Sequence, residues 1–151
     1  MNIYVASSWQ NPHYPRVVAA LREDDHDVYD FRKDGFSWSE IDPWWAKWDV
    51  PAYLLALDHP RARTHFVRDF LALQQSDACV LVLPCGLSAG IEAGWAAANR
   101  RLLVYVPDLL KPELMVKVAE LVSGNLDEIR RRLREPLNTS TVSLAASAPP
   151  V

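Results

Sequence analysis

The sequence predicts an α/β fold, a single doubly wound parallel sheet of four to five strands with flanking helices. Three observations carry that reading. Short β-rich runs alternate with stretches of helical periodicity along the first 106 residues. One run, Ala78-Cys79-Val80-Leu81-Val82-Leu83, is apolar without interruption, as a strand covered on both faces must be. Half of the 151 residues are apolar, enough for one core and too few for two ordinary domains.

Taken in order, Asn2 to Ala6 is a first strand, and Pro15 to Arg22 places Val17, Val18 and Leu21 on one helical face. A second strand at Asp27 to Phe31 completes a β-α-β unit, which implies parallel pairing and gathers the loops that follow strands at one edge of the sheet, where ligands bind. Residues 35 to 60 break the rhythm and hold four of the six tryptophans, Trp38, Trp44, Trp45 and Trp48. A helix from Ala62 to Gln75 feeds the apolar strand at 78–83. Pro84-Cys85-Gly86-Leu87 turns into a helix from Ser88 to Asn99, and Leu102 to Val106 supplies another strand. Pro112 suits the start of a helix running through Val122, and Asn125-x-x-Glu128 resembles a capping box for a last helix through Glu135. The domain is expected to span 1–135, with a disordered Ser/Thr/Ala/Pro-rich tail over 136–151.

A net charge of -3 supplies no broad basic surface, which excludes duplex nucleic acid as the main partner and leaves small ligands. No apolar stretch approaches the roughly 20 residues of a membrane span, and the first residues are strand-like rather than a basic segment with a long apolar core, so a cytoplasmic protein is expected. Cys79 and Cys85 stand at no common zinc or redox spacing, and His13, His26, His59 and His65 are scattered; neither a metal nor a cofactor is expected.

The chemistry concentrates in Ser88-Ala89-Gly90-Ile91-Glu92-Ala93-Gly94, the start of the helix after the central strand. There Glu92 is expected in the first helical turn, where unpaired N–H groups favour its ionised form, and Gly90 and Gly94 permit close approach. A glutamate that merely complements the helix dipole is the plainer alternative. It leaves the glycines unexplained, and a serine capping box from Ser88 would need its glutamate at 91, where an isoleucine stands.

Ile3-Tyr4-Val5-Ala6, the Arg68-Asp69 pair followed by Ser76-Asp77-Ala78-Cys79-Val80-Leu81-Val82, and Ser88 to Ala96 together resemble the nucleoside 2-deoxyribosyltransferase family, with TIR-like NAD-cleaving domains as more distant relatives. The resemblance covers roughly residues 1–106. It implies a flavodoxin- or Rossmann-like sheet, an attack by Glu92 on C1′ of a sugar, and a positioning or leaving-group role for Asp69. The reaction is then cleavage or transfer of an N-glycosidic bond of a nucleoside or nucleotide through an oxocarbenium-like transition state. Without the resemblance, Asp69 reads as an exposed helix acid paired with an arginine. The loop after the first strand departs from the family: Ala6-Ser7-Ser8-Trp9 stands where family members commonly carry a glycine.

Substrate-binding candidates at the same edge are Ser7, Ser8 and Asn11 after the first strand, Asp30 and Arg32 after the second, and Gly86, Ser88 and Gly90 after the central one. Each has an ordinary turn or surface reading as well. Trp38 is a candidate for stacking on a base, closing a lid or joining subunits, with core packing as its alternative. Two other readings stay open beside N-glycoside chemistry on nucleosides: a TIR-like NAD glycohydrolase, whose usual tryptophan before the glutamate is missing here, and a nucleotide sensor without turnover. Family members often assemble, so a homo-oligomer is expected.

Overall fold

The computed structural model describes residues 1–33, 35–108 and 111–136. Five parallel strands, β1 (Asn2–Ala6), β2 (Asp27–Tyr29), β3 (Ala78–Val82), β4 (Arg101–Tyr105) and β5 (Leu121–Ser123), lie in the order β2-β1-β3-β4-β5. This is the flavodoxin-like order, whose strand sequence reverses direction between β1 and β3. The three inner strands are apolar almost throughout, because helices cover both faces. Strand alternation sorts their side chains into two layers.

On one face, Ile3, Val5, Val80, Val82 and Leu103 pack against α1 (Tyr14–Glu23) and α5 (Leu126–Arg134). On the other, Tyr4, Ala6, Cys79, Leu81, Leu102 and Val104 meet α3 (Pro60–Gln75) and α4 (Leu87–Asn99). Helix α4 presents Ala89, Ala93 and Ala96 to the sheet at spacings of four and three, a low stripe that lets it lie close over β1, β3 and β4. A bulky residue at Ala93 would lift it and cost about 1–3 kcal/mol.

Between β2 and α3 the tryptophan-rich segment forms two 3-10 turns, Trp38–Glu40 and Trp45–Lys47, and a short helix α2 (Val50–Leu57), which the sequence reading left unassigned. Asp49 caps α2 by accepting from Ala52 N–H at 2.9 Å, and Pro51 sits in its first turn. Gly35 is required where it stands, since a Cβ there would lie 2.1 Å from the Trp9 ring.

The expected helix from 112 to 122 is corrected. Only Leu114–Val118 coils, as a 3-10 turn, and Leu121–Ser123 joins the open edge of β4 with Leu103 opposite Leu121. Spacing of Leu114, Val118, Leu121 and Val122 mimics a helical face, but strand pairing at an otherwise exposed edge overrides it. The capping box at Asn125 is half formed: its side chain accepts from Asp127 N–H at 2.9 Å, while Glu128 turns back to Ser123 Oγ at 2.5 Å. Beyond Pro136, the expected disordered tail lies outside the described residues.

In α5, Arg130 and Arg132 dock on neighbouring acids while Arg131 and Arg134 stay largely exposed. Arg130 holds Asp24 at the end of α1 at 2.7 Å, and buried Arg101 joins Glu120 at 2.8 Å to the carbonyls of Arg132, Leu133 and Glu135. Among the described residues no helix is long and apolar enough to cross a membrane.

Candidate active site

The face covered by α3 and α4 gathers the two candidate acids, Glu92 and Asp69. Tyr4, at the centre of β1, stacks on Tyr29 of β2 with ring centroids 5.5 Å apart and planes 13° from parallel. Register puts the two directly opposite each other on adjacent strands. The Tyr29 hydroxyl donates to Asp69 Oδ1 of α3 at 2.6 Å, and Arg68 reaches the same oxygen through Nε and Nη2, each at 3.1 Å. The Tyr4 hydroxyl faces Glu92 of α4, near enough for each to shift the other's titration. Two carboxylates on different helices thus border one tyrosine pair, Asp69 bonded to it and Glu92 beside it.

Glu92 does not stand in the first helical turn. Because α4 starts at Leu87 with Gly86 as its N-cap, Glu92 is the sixth helical residue, over the middle of the sheet. The dipole argument weakens there, since it fades beyond the first turn. Burial dominates instead and pushes the Glu92 carboxyl from its ordinary 4.5 up to about 7; the neighbouring Tyr4 hydroxyl opposes this and the Asp69 charge adds to it. Effects on its neighbours agree: Cys79 beneath it and Cys85 are raised by burial first and by Glu92 second. Tyr29 is pushed up to about 12 by burial and by its bond to Asp69. A carboxyl poised near neutrality in a half-buried site is what nucleophilic or acid-base work needs.

The structure therefore brings Glu92 and Asp69 together, with Tyr4, Tyr29 and Arg68 as partners that the sequence reading did not assign. Of the other candidates, Ser88 and Gly90 share α4 with Glu92, and most of the rest have partners of their own. Ser7 Oγ donates to the Val82 carbonyl at 2.9 Å, and buried Asn11 spends its amide on Ser7 Oγ, Val82 O and Pro84 O at 2.9, 3.2 and 3.0 Å. They bind the loop after β1 to the loop after β3, across the reversal point. Ser8 accepts from Gln10 N–H at 3.4 Å. Asp30 Oδ1 takes the Tyr14 hydroxyl at 2.9 Å and Arg32 N–H at 3.1 Å, on the α1 side of the sheet.

Arg32 donates to the Ser8 and Asn11 carbonyls at 3.0 and 2.9 Å and lies 4.4 Å over the Tyr14 ring. Trp38 packs half-buried among Phe36, Trp48 and Tyr53, outside the two core layers. Gly86, Ser88 and Gly90 are exposed, and a Cβ added at Gly86, Gly90 or Gly94 would meet nothing within 4 Å. The glycines leave the outer face of α4 bare.

No protein-family model matches the chain, and no curated protein does. Among solved structures it is similar to the 2-deoxyribosyltransferase of the psychrotolerant bacterium Bacillus psychrosaccharolyticus, described as a biocatalyst for the synthesis of antiviral and antitumoral nucleosides. The two are 17% identical and superpose with a TM-score of 0.58 over 84% of this chain and 88% of that one. At this identity the likeness establishes the fold: the chain has a nucleoside 2-deoxyribosyltransferase-like fold.

Proposed function

We propose that the chain cleaves or transfers the N-glycosidic bond of a nucleoside or nucleotide, with Glu92 as nucleophile and Asp69 as its companion acid. The observation that carries this reading is the convergence of the two carboxylates on the Tyr4–Tyr29 pair, one of them held near neutrality by burial. In the first step a Glu92 carboxylate oxygen bonds to the anomeric carbon while the carbon–nitrogen bond breaks and its electron pair leaves with the base. Asp69, oriented by Tyr29 and Arg68, holds a sugar hydroxyl or serves the departing base. Water resolving the glycosyl-enzyme gives a hydrolase, and a second base gives a transferase.

Incubation with a panel of nucleosides, nucleoside monophosphates and NAD, followed by chromatography for free base, tests the reading. Base release from a nucleoside or its monophosphate, lost in Glu92→Gln, supports it. Nicotinamide release from NAD alone would replace it with NAD glycohydrolysis. Binding without turnover would make the chain a sensor.

Self-association belongs to the same proposal. The flank built by α3 and α4 exposes Phe66, Val67, Leu71, Leu87 (82% exposed) and Ile91 (65% exposed), whereas α1 and α5 expose no large apolar side chain among the described residues. Bare Gly90 and Gly94 lie on the outer face of α4 with Leu87 and Ile91, so a second copy can approach that helix closely. Ile91 is adjacent to Glu92, which puts the subunit contact beside the reactive carboxyl.

A further inference from the structure

A groove of about 230 Å³ runs along α1 on the side of the sheet opposite Glu92, lined by Tyr14, Val18, Arg22, Asp30 and Arg32 among others. It is small for a nucleoside, whose pockets start near 300 Å³, and suits a compact ion. We propose that this groove is a second binding site, taking a phosphate-sized oxyanion.

Arg32 carries the inference. Its guanidinium is fixed by stacking on Tyr14 and by two backbone carbonyls, Ser8 and Asn11, bound through Nη2, yet its Nε is buried with no hydrogen-bond partner. That nitrogen is closed off, so the groove meets Arg32 through the rest of its guanidinium, whose remaining N–H groups a seated oxyanion pairs with. Arg22, anchored by an Nη2 bond to the Val28 carbonyl at 3.1 Å, brings a second guanidinium to the same groove. Asp30 opposes an anion, but its Oδ1 already receives the Tyr14 hydroxyl and the Arg32 amide, and one carboxylate faces two guanidiniums. The lining keeps one net positive charge. Tetrahedral phosphate offers oxygens to both arginines at once, which a single carboxylate reaches less well.

The site does not depend on the glycosidic reading, and the test separates the two. The full chain is titrated calorimetrically with inorganic phosphate and, separately, with acetate, in wild type, Arg22→Gln and Glu92→Gln. Phosphate binding with Kd below ~1 mM, weakened about tenfold in Arg22→Gln and unchanged in Glu92→Gln, is expected. Amide NMR shifts on phosphate addition to the wild-type chain should cluster over residues 14–32, a readout that holds even if the arginine variant misfolds. No binding up to ~10 mM overturns the proposal. So do equal affinities for acetate and phosphate, an effect of Glu92→Gln as large as that of Arg22→Gln, or shifts confined to the surroundings of Glu92.

Discussion

Replacing Glu92 by glutamine should stabilise the folded chain above neutral pH, the reverse of what a surface acid at a helix start would do. A carboxyl raised from 4.5 to about 7 keeps its proton in the folded state while the unfolded chain has released it. Between those two values the unfolded state binds fewer protons, so the stability of wild type falls as pH rises. The slope is ~1.4 kcal/mol per pH unit. Over the gap from 4.5 to about 7 that amounts to about 3 kcal/mol, an upper value because the side chain is half-buried and water relaxes around it.

Glutamine keeps an oxygen for the Tyr4 hydroxyl and carries no charge to desolvate or to face Asp69. Urea unfolding of both proteins at intervals from pH 4 to pH 9 measures the difference directly. It should be near zero at the acid end, grow in favour of Glu92→Gln through pH 5 to 7, and level off above. A difference that stays flat with pH, or that favours wild type at pH 8, would refute the burial account of Glu92. The first-turn placement expected from sequence gives the contrary forecast, a loss of ~0.3–1 kcal/mol on removing the charge.

Other consequences follow from the same contacts. If Glu92 attacks as the carboxylate, the rate of base release should climb with pH through an apparent pKa near 7, read from kcat/KM profiles. Tyr4→Phe deletes the hydroxyl that holds this value down, so the rising limb should move to higher pH and activity at neutral pH should fall. Asp69→Asn removes a like charge and should move the limb the other way, whatever it does to the maximal rate. Ile91→Asp puts a charge on the exposed face of α4 and should shift the chain to monomer in sedimentation velocity, with its circular dichroism unchanged. Arg101→Met leaves Glu120 to Arg132 alone and removes the donor to three carbonyls, for a loss of about 1–3 kcal/mol in urea.

The parallel sheet was legible because its inner strands must be apolar on both faces, and few sequences other than buried strands look like Ala78 to Leu83. The edges were less so. Leu121-Val122-Ser123 is three residues long, too short to show alternation, and only the unpaired edge of β4 makes it a strand. Helix α2 was a different matter: Asp49-Val50-Pro51 carries a complete start signal, an acid cap with proline in the first turn, obscured by the aromatic crowding around it. Residues 35 to 60 looked irregular because two 3-10 turns interrupt any single period.

At the site, the acids could be found one by one but their environment could not. Glycine spacing pointed to Glu92 and the family resemblance to Asp69, yet the protonation of Glu92 depends on what the folded chain packs around it. Tyr4 was open to inference: it is the one polar-tipped side chain between Ile3 and Val5 in an otherwise apolar strand, fully buried, and a buried tyrosine hydroxyl needs a partner. Alternation alone puts it on the face away from Ile3 and Val5. Sheet register then places Tyr29 against it, and through Tyr29 the hydroxyl-to-carboxylate bond reaches Asp69. The pairing of the two acids is thus a consequence of strand register, a long-range property that no local motif around either acid encodes.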